Sequence, residues 1–290
     1  MSTVELALPA RAELGEGARW DERTGTLFWV DILRGRVHQF TPATAACRTF
    51  TVGQPVGAAA LREAGGLVLA LRDGFATLDL DTGRLAWIAR VEDDRPGQRM
   101  NDGRCDAAGR FWAGTMAFDP SPGTGTLYRL DPGGRVTAVL ADLTISNGLD
   151  WGPDGRTLYF VDSGTQRIDL FDFDPPTGEL SNRRQFVRVP DAAGMPDGLV
   201  VDADGFVWVA LWGGGALHRY ATDGALAAVV TLPVSHPTSC AFGGPDLTDL
   251  YVTSASVELT PAALARQPHA GGLFRVRPGV SGRPAHRFAG

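Results

Sequence analysis

Four short stretches, far apart in the chain, each present a side-chain oxygen and then run into an apolar segment: Gly15-Glu16-Gly17, Asn101-Asp102-Gly103, Asn147-Gly148-Leu149 and Pro196-Asp197-Gly198. Their heads are Glu16, Asn101, Asn147 and Asp197. Two carboxylates with amide oxygens, lacking thiols and imidazoles, form a hard oxygen-donor set suited to Ca²⁺, Mg²⁺ or Mn²⁺. Zn²⁺ and Fe²⁺ can use the same set when waters fill the other positions. Asn-Gly and Asp-Gly are also common turn dipeptides, so any one of these heads taken alone reads as a turn. Glu16, Asn147 and Asp197, however, keep the same register in three repeats, which turn chemistry does not require.

The composition removes several other chemistries. All 27 basic residues are arginine, which excludes a Schiff-base lysine and a phosphate loop of the Walker type. Cys47, Cys105 and Cys240 are odd in number and widely spaced, so neither a disulfide framework nor a thiolate zinc site is expected, and reduced thiols in the cytoplasm are. Ser146 and Ser239 lack the GxSxG context of a nucleophile elbow. A net charge of −6 without a basic patch argues against nucleic acid and anionic membranes as partners. No apolar run approaches the roughly 18 residues of a membrane helix, and the first residues lack the pattern of a signal peptide. Among the other polar candidates, His38 and His218 fall in strands away from the heads, whereas His236 precedes Pro237-Thr238-Ser239 and could reach the mouth of a site there.

The elements that must position these heads are strands. Thirty-seven glycines and nineteen prolines cut the chain into short pieces, and almost none shows helical periodicity. Six apolar runs follow turn residues: Leu27–Val30, Leu67–Leu71, Phe111–Ala113, Leu158–Val161, Val207–Ala210 and Leu250–Val252. Each is followed by another strand, and several by a further turn and a fourth. Four strands recurring at roughly 40 to 50 residues is the period of propeller blades. The expected fold is all-β: a six-bladed propeller of four-stranded blades forming one domain over residues 1–290. Closure requires the chain ends to share a blade, with Val4–Leu8 as the outer strand of the last. Two insertions stand out, 117–126 in blade three and 256–271 in blade six, where 261–266 could turn into a short helix. In a propeller the inner strands line one channel, so the heads become neighbours.

Several motifs in order, LGEGARW (14–20), RMNDGRCDAAGRFWAGTM (99–116), SNGLDWGPDG (146–155), PDGLVVDADGFVWVALWGG (196–214), TSCAFGG (238–244) and LYVTSA (250–255), resemble the senescence-marker-protein-30, gluconolactonase and luciferin-regenerating-enzyme family. The resemblance spans about Ala12 to Phe274. It implies a propeller with one divalent cation (Ca, Zn, Mn, Mg or Fe(II)) in the channel, and a sugar-lactone hydrolase. It further implies metal ligation by Glu16, Asn147 and Asp197, and substrate contacts from Arg99 and Asn101. A family glutamate follows the GTM motif after a short gap; here Phe118 and Asp119 occupy that region, which makes Asp119 the candidate contact to sugar hydroxyls.

On this reading the cation polarises a lactone carbonyl and Asp197 serves as general base. The expected partner is a small-molecule sugar lactone, and the expected state a monomer or weak dimer. Two alternatives stay open: a metal-dependent hydrolase of the phosphotriesterase or arylesterase kind, and a non-catalytic calcium-binding propeller.

Overall fold

Burial falls steadily along each repeat. The first strand of blade one, Gly15–Asp21, is buried throughout, whereas its fourth, Ala46–Thr51, is exposed apart from Phe50. A sheet hydrophobic at one edge and solvated at the other satisfies its apolar edge only by radial stacking, and that is what the chain does. The computed structural model describes residues 3–290, which form six four-stranded antiparallel sheets. The innermost strands are Gly15–Asp21, Val56–Leu61, Gln98–Cys105, Ser146–Trp151, Met195–Val201 and Pro237–Gly243. Each of them touches the next, and the sixth touches the first. The ring closes as expected: Val4–Leu8 pairs with Leu273–Val276, Val4 lying opposite Val276 and Leu6 opposite Phe274.

Apolar clusters fill the space between blades. One joins Phe28, Val30 and Val37 of blade one to Leu61, Leu67 and Leu69 of blade two. Buried aspartates fix the turns at one end of the ring. Asp106 accepts from the Ala108 and Arg110 amides and from Trp112 Nε1 at 2.9 Å. Asp202 repeats the pattern with the Asp204 and Phe206 amides and Trp208 Nε1 at 3.0 Å. Of the two insertions, the second contains the short helix Pro261–Arg266, capped by Thr260 Oγ1 accepting from the Ala263 amide. No helix among the described residues is long and apolar enough to cross a membrane.

The pattern of strands and turns gave no sign of the role of residues 277–290. This segment crosses the end of the ring where the first and second strands of each blade are joined, and it meets all six blades. Ser281 O accepts from Ala203 N, Gly282 N donates to Leu247 O, and Arg283 reaches Trp151 O. Arg287 pairs with Asp21, Phe288 brackets Leu61 and Glu63 through its backbone, and Ala289 N donates to Gly109 O. Phe288 is 1% exposed and packs with Phe75, Phe111 and Leu130 in the cluster between blades two and three. Replacing it, Phe288→Ala, is expected to lower stability by about 3–5 kcal/mol, measured by urea denaturation; a loss under about 1 kcal/mol would show that the segment is a passive strap.

Candidate metal and substrate site

The heads do not turn the chain. Each innermost strand slips register against its neighbour just where the polar head lies, between Glu16 and Arg19, Val56 and Ala58, Met100 and Gly103, Ser146 and Leu149, Pro196 and Leu199, and Pro237 and Ser239. These are bulges, which free residues from the ladder and re-aim their side chains. Asn101 and Asp102, Asn147 and Asp197 sit in the bulged positions, and Glu16 immediately precedes one. After Asn147 and Asp197 the glycine is required by the next blade rather than by a turn: a Cβ on Gly148 would lie 2.6 Å from the Asp197 carbonyl oxygen, and one on Gly198 would strike Ser239.

At this end of the channel the bulged residues converge on a cavity of about 320 Å³. Glu16, Arg99, Asn101, Asn147 and Asp197 all line it, as does Ser163. Every one of them is at most 6% exposed. Asn147 Nδ2 donates to Ser163 Oγ at 3.0 Å, which fixes the amide. Arg99 Nη1 donates to Met100 O at 3.0 Å and to Asn101 Oδ1 at 2.7 Å, while Asn101 Nδ2 donates to Ser146 O at 2.9 Å. Asn101 therefore holds Arg99 and ties blade three to blade four.

Burial, then the negative charges of Asp197 and Asp102, push the Glu16 carboxyl well above the ordinary carboxylate range. Burial and the charge of Asp102 do the same to Asp197, opposed by the Asn147 amide and the Arg99 guanidinium. Arg99 is brought down to about 10 by burial, with the two carboxylates resisting, and so stays charged at neutral pH. The donor set fits a hard divalent cation: Asn147 Oδ1 and Asp197 Oδ1 are buried acceptors without a hydrogen-bond partner, and two crowded carboxylates need positive charge nearby. Among the described residues no three His, Cys, Asp or Glu side chains cluster as a ligand group; the third oxygen here belongs to an amide.

Two residues of this site had no role assigned from sequence. Ser163 orients Asn147, and its only signal was its place at the end of a second strand. Asp102, 4% exposed, lies behind both carboxylates and pairs with Arg19 at 3.3 Å; it stood in the quoted Asn101-Asp102-Gly103 stretch without a task. Asp119 is exposed, and the cavity is lined by its neighbours Phe118 and Pro120 instead. His236 stacks on Trp212 at 4.2 Å, with Trp212 between it and the cavity. His38 stacks on Trp29, and His218 hydrogen-bonds Tyr220.

A propeller whose inner strands aim buried oxygens and an arginine into one pocket defines a class of small-molecule site, and comparison with known proteins narrows the class. Residues 14–256 match the model of the SMP-30/Gluconolactonase/LRE-like region, and the chain belongs to that family. It is 39% identical to regucalcin of Oryctolagus cuniculus over 99% of its own length and 98% of the relative's. Among solved structures it resembles a calcium-binding protein, regucalcin, from Agrobacterium tumefaciens, with TM-score 0.94 and 34% identity, covering 99% and 97% of the two chains. A luciferin-regenerating enzyme superposes with TM-score 0.93 at 31% identity, covering 100% of each chain.

Because burial raises both carboxyls, protons compete with a cation for them. Cation affinity is expected to be flat above the raised pKa values and to fall about tenfold per pH unit below them for each carboxyl that must lose a proton. Calorimetric titration of Ca²⁺ or Mn²⁺ between pH 8 and 5 checks this, and an affinity that does not weaken toward pH 5 would contradict the assignment.

Proposed function

We propose that the chain is a divalent-cation-dependent hydrolase that opens a sugar lactone to its sugar acid, with Glu16, Asn147 and Asp197 holding the cation. The observation that carries this reading is a charged arginine, Arg99, lining the same pocket as two carboxylates and an amide oxygen without a hydrogen-bond partner. The family's name, which includes gluconolactonase, supports it.

A lactone is an internal ester, and its hydrolysis passes through a tetrahedral oxyanion. When bound, the cation supplies Lewis-acid polarisation of the carbonyl and charge stabilisation. Asp197 takes a proton from the attacking water; burial and Asp102 raise its proton affinity, which offsets the opposite effect of ligation. Collapse of the oxyanion breaks the bond from the carbonyl carbon to the ring oxygen, which takes up the proton. Arg99 uses only Nη1 toward the protein, leaving its other N–H groups to orient the substrate ring.

The Agrobacterium tumefaciens relative is described as a calcium-binding protein, which favours a second reading, cation binding without turnover. Acid release from glucono-, xylono-, arabinono- and galactonolactones, with chelation and metal add-back, separates the two. Asp197→Ala is expected to lower lactone hydrolysis by about 10²- to 10⁴-fold with the circular dichroism spectrum unchanged; hydrolysis within a few-fold of the parent would sink the role given to Asp197.

A further inference from the structure

The cavity is unevenly polar. Its floor carries Glu16, Asp197 and Arg99, whereas its walls are largely apolar, with Phe118, Trp212 and Val257 among them. At the rim stands a single further charged side chain, Glu258. We infer that Glu258 is a specificity-determining residue whose carboxylate accepts hydrogen bonds from hydroxyl groups on the part of the ligand farthest from the carbonyl. This rests on the lactonase reading of the site and adds to it the residue that favours a hydroxylated chain over an alkyl one.

The backbone around Glu258 is held in a fixed relation to the floor. Ser256 N and Val257 N both donate to Glu13 O, at 3.0 and 2.9 Å, and Ser256 Oγ donates to Ala12 O at 2.7 Å. The Glu13 and Leu14 amides are in turn gripped by the buried Asp31. The segment that delivers Glu16 to the floor thus also carries the loop that delivers Glu258 to the rim.

Glu258 itself adopts φ of +65°, a conformation that non-glycine residues rarely take. The strain brings no packing gain, since the side chain is exposed. It shares the cavity lining with Trp212, behind which His236 stacks. A carboxylate offers acceptors only, and Arg99 on the floor offers donors only. A ligand spanning the two must accept at its carbonyl end and donate at the other, as a polyhydroxylated acid does. Asp119, on the opposite insertion, is outside the lining.

The test is calorimetric binding of gluconate and of hexanoate, which has the same carbon number and no hydroxyls, to the cation-loaded full chain. The parent is expected to prefer gluconate, and Glu258→Gly to weaken gluconate about tenfold while leaving hexanoate unchanged. Glycine suits the positive φ, so the variant is expected to melt no lower than the parent. Equal loss for both ligands, no loss for either, a parent that does not prefer gluconate, or a gluconate defect arising from Asp119→Ala in place of Glu258→Gly would each overturn the inference. Gluconate discrimination that depends on Glu258, in a protein that turns over no lactone, would leave the inference standing and remove the lactonase reading.

Discussion

The site depends on how closely six strands can approach one another around an axis. Neighbouring first strands come into backbone contact at the level of the heads. A Cβ on Gly148 would strike the Asp197 carbonyl, one on Gly57 would strike the backbone of Met100 and Asn101, and one on Gly198 would strike Ser239. A side chain at these places would push the blades apart. The bulges and this spacing act together: the bulge swings Asn147 and Asp197 out of the ladder, and the glycine lets the next bulge stand beside it. Bonds between blades fasten the arrangement, Asn101 Nδ2 to Ser146 O and Thr238 Oγ1 to Gly15 O.

The close approach creates the electrostatic problem that the site uses. Glu16 and Asp197 are desolvated by the same packing that brings them together, and the charge of Asp102 raises the proton affinity of both, that of Asp197 adding to the effect on Glu16. The protein answers partly with arginines, Arg99 on the cavity side and Arg19 on the far side of Asp102. Arg19 also donates to the Ala18 and Gly103 carbonyls, which a lysine could not do with the same planar fork. That use of guanidinium inside the channel fits a chain whose every basic residue is arginine. Two acceptors on residues that line the cavity, Asn147 Oδ1 and Asp197 Oδ1, stay without a hydrogen-bond partner.

Much of this was legible in the sequence because its causes are local. Strands announced themselves through β-branched and aromatic runs between turn residues, and the repeat of that unit implied the ring and its closure by Val4–Leu8. The four heads line one cavity, but their local geometry was ambiguous. Asn147-Gly148 and Asp197-Gly198 are turn dipeptides by composition, and the chain uses their glycines for contact with the next blade. Residues 277–290 were opaque for another reason: without periodicity, their hydrogen bonds reach partners in all six blades that only the closed ring brings together. Asp102 and Ser163 were invisible as site residues because their roles exist through Arg19, Glu16 and Asn147.

The two insertions show where sequence reasoning changes character. On the inner strands a residue's position in the repeat fixes its place around the axis, so register alone carried Glu16, Asn147 and Asp197 to one point. In a loop no such rule holds, and residues adjacent in sequence diverge: Phe118 and Pro120 line the cavity while Asp119 between them does not. The blade-six loop is different again, because hydrogen bonds to Ala12 and Glu13 tie it to the strand that carries Glu16. It is an insertion by sequence and part of the inner scaffold by bonding. A loop held that firmly can present a side chain to a ligand without first having to order itself, and that is the physical ground for placing selectivity at the rim and cation binding on the ring.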